Sequence, residues 1–339
     1  MNILITSAGR RSYLINYFKE ALNGNGEVHA SNSLWSDALQ CADKAVITPL
    51  INHRQYIQFL IDYCLKNKIK AIIPLFDFDL WKLSVNKEKF DKHNIKLVVS
   101  DSKVINICND KWNTYKFLKS IKINTPESSL SILESQKKIK RGLINYPLII
   151  KPRWGTGSLS TYQVNNYHEL IILFNKIKQE IASNHIKYES SQDIEKSIII
   201  QEKINGSEYG VDIFNDLNSN YLTSVSKKKL SMRAGETDSA IIIKNKSISI
   251  IAKTLSNKLK HVANLDVDII YNNNKYYVID LNCRFGGQYP FSHLAGVNFP
   301  KAIINMLNQK KVNSKFLLYN TGTIGIKQIN PIILKNEVS

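Results

Sequence analysis

Apolar and polar positions along the chain switch between a period of two and a period near 3.6, and the switches outline the elements. Asn2–Thr6 is a short β-rich run that breaks at Ser7-Ala8-Gly9. Beyond it Leu14, Tyr17, Phe18, Ala21 and Leu22 recur every one to four residues on one helical face. The pattern returns twice, with a helical segment at 56–65 leading into a strand at 71–75, and a helical segment at 80–93 leading into a strand at 96–100. Strands that alternate with helices imply an open, mostly parallel sheet. These elements are assigned to a first domain at residues 1–108.

The pattern then changes. A helix is predicted at 111–120, short strands at 148–151 and 160–164, and an amphipathic helix in which Leu170, Ile171, Phe174, Ile177 and Ile181 share one face. Residues 109–200 therefore read as a small α+β lid, in which the polar stretch 184–196 is an exposed loop or helix end. Strands dominate the rest, at 197–202, 209–214, 221–226, 266–271 and 276–283, with one helix at 248–261. Residues 201–339 form the third part, and the fold class expected is α/β followed by α+β.

Composition narrows the function classes. A chain of 339 residues with 43% hydrophobic and 22% charged residues has room for about two domains with real cores. No apolar run approaches the ~20 residues of a membrane span, and the N-terminal run is too short for a signal-peptide core, so a cytoplasmic protein is expected. The cysteines, Cys41, Cys64, Cys108 and Cys283, are far apart in sequence and suggest reduced thiols rather than a zinc site. The net charge of +18 is carried mainly by scattered lysines. With no arginine-rich tail, zinc-finger spacing or RNP signature, it favours small anionic substrates over nucleic acid.

Three segments carry candidate chemistry. In Tyr277-Val278-Ile279-Asp280-Leu281-Asn282-Cys283-Arg284, a strand period puts Val278, Asp280, Asn282 and Arg284 on one face, over an apolar back of Ile279, Leu281 and Cys283. Carboxylate and amide oxygens are the hard ligands that Mg²⁺ takes, and a guanidinium beyond them suits a phosphate. Upstream, Asp266 and Asp268 share a face, and a turn at Asn272-Asn273-Asn274 makes the two strands a hairpin. Asp268 faces Asp280 if that turn has an odd number of residues and no bulge intervenes. The second segment, Ile149-Ile150-Lys151-Pro152-Arg153-Trp154-Gly155-Thr156-Gly157-Ser158, has a lysine before its glycines and is not a P-loop; its exposed amides suit phosphate oxygens. The third, Gln201-Glu202-Lys203-Ile204-Asn205-Gly206-Ser207-Glu208, offers two glutamates around a glycine turn.

In this order the three segments resemble the ATP-grasp superfamily, in the branch like the large subunit of carbamoyl phosphate synthetase. Asn109-Asp110-Lys111 is similar to that branch's D-K motif. The resemblance covers about residues 1–305 and implies a Rossmann-like N-terminal domain before a two-part ATP-grasp domain. It also implies that Lys111 and Lys151 contact ATP phosphates beneath a loop carrying Gly155, Gly157 and Ser158. Glu202 and the backbone of Lys203 and Ile204 would hold adenine, and Glu208 the ribose. Asp268 (or Asp266), Asp280 and Asn282 would bind Mg²⁺, with Mn²⁺ as a substitute, and Arg284 the phosphoryl or acyl-phosphate group. The segment 226–236 resembles a variable loop that faces the carboxylate substrate in related ligases, which makes Arg233 a candidate. The chain departs from the family pattern at Asp280, where Glu is common, and at Cys283, where Pro is.

The activity implied is carboxylate–amine ligation through an acyl phosphate, with small-molecule carboxylate and amine partners, and a homodimer as the commonest assembly. Two alternatives stay open: phosphoryl transfer that ends at a phosphorylated product, and a noncatalytic nucleotide- or polyanion-binding protein. Ser7-Ala8-Gly9-Arg10-Arg11 could hold an anion at a helix start, but it is not a dinucleotide fingerprint.

Overall fold

The computed structural model describes residues 1–155, 157, 159–184 and 186–334. The first sheet is built from parallel strands β1 (Asn2–Thr6), β2 (Val28–Asn32), β3 (Lys44–Ile47), β4 (Ile69–Pro74) and β5 (Lys96–Leu97), in the order β3-β2-β1-β4-β5. Its helices are α1 (Ser12–Leu22), α2 (Asp37–Cys41), α3 (Tyr56–Lys66), α4 (Asp77–Ser84), α5 (Lys87–Asp91) and α6 (Ser102–Asn109). Helix α1 follows the predicted spacing: Leu14, Ile15, Phe18, Ala21 and Leu22 are buried, and Asn23 ends it in the left-handed conformation with its N–H on the Lys19 carbonyl. The predicted helix at 80–93 is broken. The N–H of Asn86 bonds the Leu83 carbonyl and its side chain the Lys82 carbonyl, which closes α4 before α5 begins.

A small antiparallel sheet follows, of β6 (Ser128–Ser129), β7 (Leu148–Pro152), β8 (Tyr162–Val164) and β9 (Ile198–Glu202), with α7 (Lys111–Ser120), α8 (Ile132–Lys140), α9 (Tyr167–Ser183) and α10 (Lys187–Ser190). The polar stretch expected as loop contains α10 and a short 3₁₀ turn, Ile194–Lys196. The largest sheet is antiparallel. It comprises β10 (Ser207–Asn215), β11 (Tyr221–Arg233), β12 (Glu236–Ile243), β13 (Asn264–Asn272), β14 (Lys275–Asn282) and β15 (Ile324–Ile326), flanked by α11 (Lys246–Leu259), α12 (Tyr289–Leu294) and α13 (Phe299–Leu307). Strand β11 runs seven residues past its predicted end because Lys227, polar in sequence, is fully buried and paired with Asp212. The expected loop at 226–236 is instead a hairpin that turns at Ala234-Gly235.

The cores show what is rigidly joined. Leu4 and Ile72 of the parallel sheet belong to the same buried cluster as Leu265, Val267, Val278 and Leu281 of the large sheet. The small sheet instead packs Leu148, Ile150, Leu170, Ile177, Ile198 and Ile200 into a separate core of its own. Emptying a site such as Leu170 would cost about 2 to 5 kcal/mol and act on the small sheet alone. Among the described residues no helix is long and apolar enough to cross a membrane.

The β13–β14 hairpin corrects the predicted register in two places. Its turn has two residues, Asn273 and Asn274, both at positive φ, and Asn272 pairs with Lys275. A bulge then inserts Ile279, since Ile269 pairs with Val278 but Asp268 pairs with Asp280. An even turn and one bulge cancel in parity, so Asp268 and Asp280 face each other after all. The bulge also flips the predicted faces: Val278 joins the core, and Ile279 lines the cavity described next.

Candidate active site

A cavity of about 630 Å³ lies where the three sheets meet. The parallel sheet reverses its winding direction between β1 and β4, and in such sheets the crevice at the carboxyl ends of those strands is where ligands bind. Arg11, Phe76 and Asp77 leave from those ends and line the cavity. The small sheet supplies a basic wall and the large sheet an acidic one.

The basic wall starts at α7. Asp110 caps this helix, its carboxylate accepting from the N–H groups of Trp112 and Asn113 at 2.9 and 3.4 Å. The same carboxylate is gripped by Arg153 through two bonds of 2.7 Å, and Arg153 also reaches Asp193 at 3.2 Å. Lys111, the first helical residue, donates to the Gly155 carbonyl at 2.6 Å. Lys151, on β7, lines the cavity as well. Burial, and then the nearby Lys111 charge, push its ammonium down to about 8, against a smaller opposing pull from Asp280 and Asp268. Two crowded cations of this kind favour an anion between them. Gly155 and Gly157 line the same end, whereas Ser158 lies outside the described residues.

On the acidic wall, cross-strand pairing places Asp268 against Asp280 and Asp266 against Asn282. Lys229 of β11 donates to Asp268 at 2.7 Å and reaches Glu208 at 3.5 Å. Burial works against its charge, but Asp268 and Glu208 hold the ammonium above its ordinary value. Arg284 bonds Asp77 at 2.8 Å and Asn282 at 3.4 Å. Burial disfavours that guanidinium too, and Asp77, with Asp266 and Asp280, more than offsets it. Burial raises the Asp266 carboxyl, with Asp268 and Asp212 adding to the rise, while Gln288 donates to it. Two glycines allow this packing: a Cβ on Gly286 would fall 2.1 Å from the Asp266 carboxylate, and one on Gly210 would overlap the Gln288 side chain.

The donor chemistry fits a hard divalent cation. Carboxylates crowd on paired strands, and burial together with the neighbouring carboxylates pushes one of them, Asp266, toward neutrality. Among the described residues no three His, Cys, Asp or Glu side chains form a complete ligand set. A cation here would therefore also need the Asn282 amide oxygen and oxygens from its ligand.

Lys111, Lys151, Gly155, Gly157, Glu208, Asp268, Asp280, Asn282 and Arg284 are thus brought to one cavity. Four sequence candidates are not among the described residues that line it. Glu202 accepts from the Glu127 N–H at 3.3 Å, Lys203 is half-buried and donates to Gln163 at 2.6 Å, and Ile204 follows them out of β9. The hairpin bearing Arg233 borders the cavity through Met232, Gly235, Glu236 and Thr237, but Arg233 itself is held away by Asp238 and the Lys327 carbonyl. Conversely Arg11, Asp77, Lys229, Glu236 and Gln288 line the cavity without having been named individually as site residues. Lys229 and Glu236 lie in the segment 226–236 that the resemblance set against the carboxylate substrate, and Arg11 had as its signal the place just after the first strand.

A family model described as an ATP-grasp domain matches residues 108–288, and one described as a PylC-like N-terminal domain matches residues 3–98. The chain is 22% identical over 234 residues to the carbamoyl phosphate synthase large chain of Caldanaerobacter subterraneus subsp. tengcongensis. That match covers 66% of this chain and only 21% of that protein's length. Among solved structures, the biotin carboxylase domain of the 2-oxoglutarate carboxylase of Hydrogenobacter thermophilus, a dimer in complex with MgADP, ADP and bicarbonate, superposes with a TM-score of 0.74 at 16% identity, over 95% of this chain and 73% of that one. An L-amino acid ligase from Bacillus licheniformis superposes at 0.66 with 17% identity, over 90% and 74% of the two chains. With the matched model covering more than half of its residues, the chain belongs to the ATP-grasp domain family.

Proposed function

We propose that the protein is an ATP-dependent carboxylate–amine ligase that works through an acyl phosphate. The observation that carries this is the charge division of one cavity, with Lys111 and Lys151 on one wall and Asp268, Asp280 and Asn282 on the other. A polyphosphate bearing a divalent cation satisfies both walls at once. Lys111 and Lys151 hold the phosphates, Asp268, Asp280 and Asn282 hold Mg²⁺, and Glu208 is placed for the ribose. Bound Mg²⁺ would neutralise phosphate charge and polarise the transferred group. Lys229 balances the charge of Asp268.

The substrate carboxylate oxygen attacks the γ-phosphorus, ADP leaves, and the acyl phosphate forms beside Arg284, whose guanidinium bears its charge. The amine nitrogen then bonds to the acyl carbon, the carbon–oxygen bond to phosphate breaks, and the amine proton passes to solvent or phosphate. These steps ask the protein for positioning and charge neutralisation, not for a side-chain nucleophile. ADP release measured over pairs of carboxylates and amines tests the proposal: ADP and an amide form together only when both substrates are present. ADP with a stable phosphorylated product and no amide would favour the phosphotransfer alternative.

A further inference from the structure

The end of the cavity closed by the first domain is chemically unlike the rest. Arg11 lines it, and its guanidinium donates to the Leu75 carbonyl. Among the described residues it has no ion-pair partner. Burial, and then repulsion from Arg284, press its charge down against smaller opposing pulls from Tyr13, Asp77 and Glu236, so an anion bound directly to it would be favoured. In the same cavity, three buried polar atoms have no hydrogen-bond partner among the described residues: Asp77 Oδ1, Gln288 Oε1 and Arg284 Nε. Asp77 is 4% exposed and Gln288 likewise 4%. Buried polar atoms left unpaired are costly, and that cost is tolerated where a ligand supplies the missing partners.

The set is specific in sign. Two orphaned acceptors, one of them charged, need a donor with several N–H bonds, while the guanidinium needs an acceptor. We propose that the amine substrate is an amino acid, seated with its carboxylate on Arg11 and its amino group against Asp77 Oδ1. The proposal rests on the ligase reading, since it names the second substrate of that reaction. Asp77 is also the partner of Arg284, so an amine held on its free oxygen lies next to the guanidinium assigned to the acyl phosphate. The carboxylate meanwhile points toward the first domain. Arg11 and Asp77 are thus binding groups for one molecule, contributed by the starts of α1 and α4 just beyond β1 and β4 of the parallel sheet, and they give that domain a role in substrate choice.

The experiment is a thermal-shift panel on the full chain, saturated with Mg²⁺ and a non-hydrolysable ATP analogue. The probes are free α-amino acids, each matched with its decarboxylated amine and with its 2-hydroxy acid, together with phosphoethanolamine. At least one amino acid is expected to raise Tm by a few degrees, as a ligand well above its Kd does. Its amine and its hydroxy acid should raise Tm far less. Arg11→Gln should abolish that shift and Arg11→Lys restore part of it, while the shift from the ATP analogue persists in both and certifies their folding. Asp77→Asn should weaken the amino acid more than its hydroxy acid. The proposal is overturned if no amino acid shifts Tm, if the plain amine or phosphoethanolamine does as well as the amino acid, or if Arg11→Gln leaves the shift intact. Failure of the ATP analogue itself to shift Tm would instead count against the ligase reading.

Discussion

The two walls of the cavity are opposites in charge and also in how they are held. The acidic wall is a paired hairpin whose back is the core shared with the parallel sheet, and two of its carboxylates already have side-chain partners, Asp268 in Lys229 and Asp266 in Gln288. The basic wall belongs to the sheet with a separate core, and its alignment depends on one buried Arg153–Asp110 pair. Lys151 has been pushed toward neutrality rather than compensated. The acidic wall is thus preformed in its backbone, with Asp266 pushed toward neutrality by burial and its carboxylate neighbours, whereas the basic wall stores unfavourable positive charge that a phosphate relieves.

The largest effects should come from the preformed wall. Asp280→Asn and Asn282→Ala are expected to lower turnover by about 10²- to 10³-fold or more with Tm nearly unchanged; wild-type rates at saturating Mg²⁺ in steady-state assays would remove the metal assignment. Gly286→Ala should rank next, because its Cβ collides with the Asp266 carboxylate, and circular dichroism should report a folded protein with little turnover.

On the stored-charge wall, Lys151→Met is expected to cost on the order of 2 to 4 kcal/mol in kcat/KM and at the same time raise the Tm of the free protein by a few degrees at pH 7. The sign follows from linkage. With Lys151 at about 8 instead of 10.5, the unfolded chain binds more protons between those values, so this group's contribution makes stability rise with pH across pH 8 to 10.5 and is most costly below it. ATP affinity runs the other way: flat below pH 8, then weakening by up to about tenfold per pH unit above it, a slope that Lys151→Met should erase. A Tm that falls in Lys151→Met would contradict the stored-charge account.

The smallest effect expected is that of Arg153→Gln. It loosens the cap of α7 and should raise the KM for ATP several-fold while leaving kcat close to normal, because Lys111 and Gly155 lose their common anchor. A kcat loss larger than the KM change would mean that Arg153 touches the reacting groups.

Much of the frame was legible because apolar spacing encodes it: β1 and α7 have their predicted bounds, and α1, α3, α9, α11 and the β13–β14 hairpin appear near theirs. Strands β2 and β12 were missed because buried polar side chains such as His29, Ser31, Thr237 and Ser239 interrupt their apolar runs. The site divides in the same way. Residues clustered in sequence, such as Asp280, Asn282 and Arg284, declare themselves, whereas Asp77 reaches the cavity through the strand order and Lys229 meets Asp268 through the register of β10, β11 and β13. Bulge and turn parity at Ile279 and Asn273-Asn274 are likewise set by backbone geometry that hydrophobic alternation does not encode.

The most direct test of the two-wall account is calorimetric titration of ATP into the wild type, Asp280→Asn and Lys151→Met, each with and without Mg²⁺. The account predicts that Mg²⁺ tightens ATP binding in the wild type, that Asp280→Asn binds ATP but loses most of this gain, and that Lys151→Met is weakened under both conditions. Identical Mg²⁺ gains in the wild type and Asp280→Asn, or unchanged ATP affinity in Lys151→Met, would contradict it.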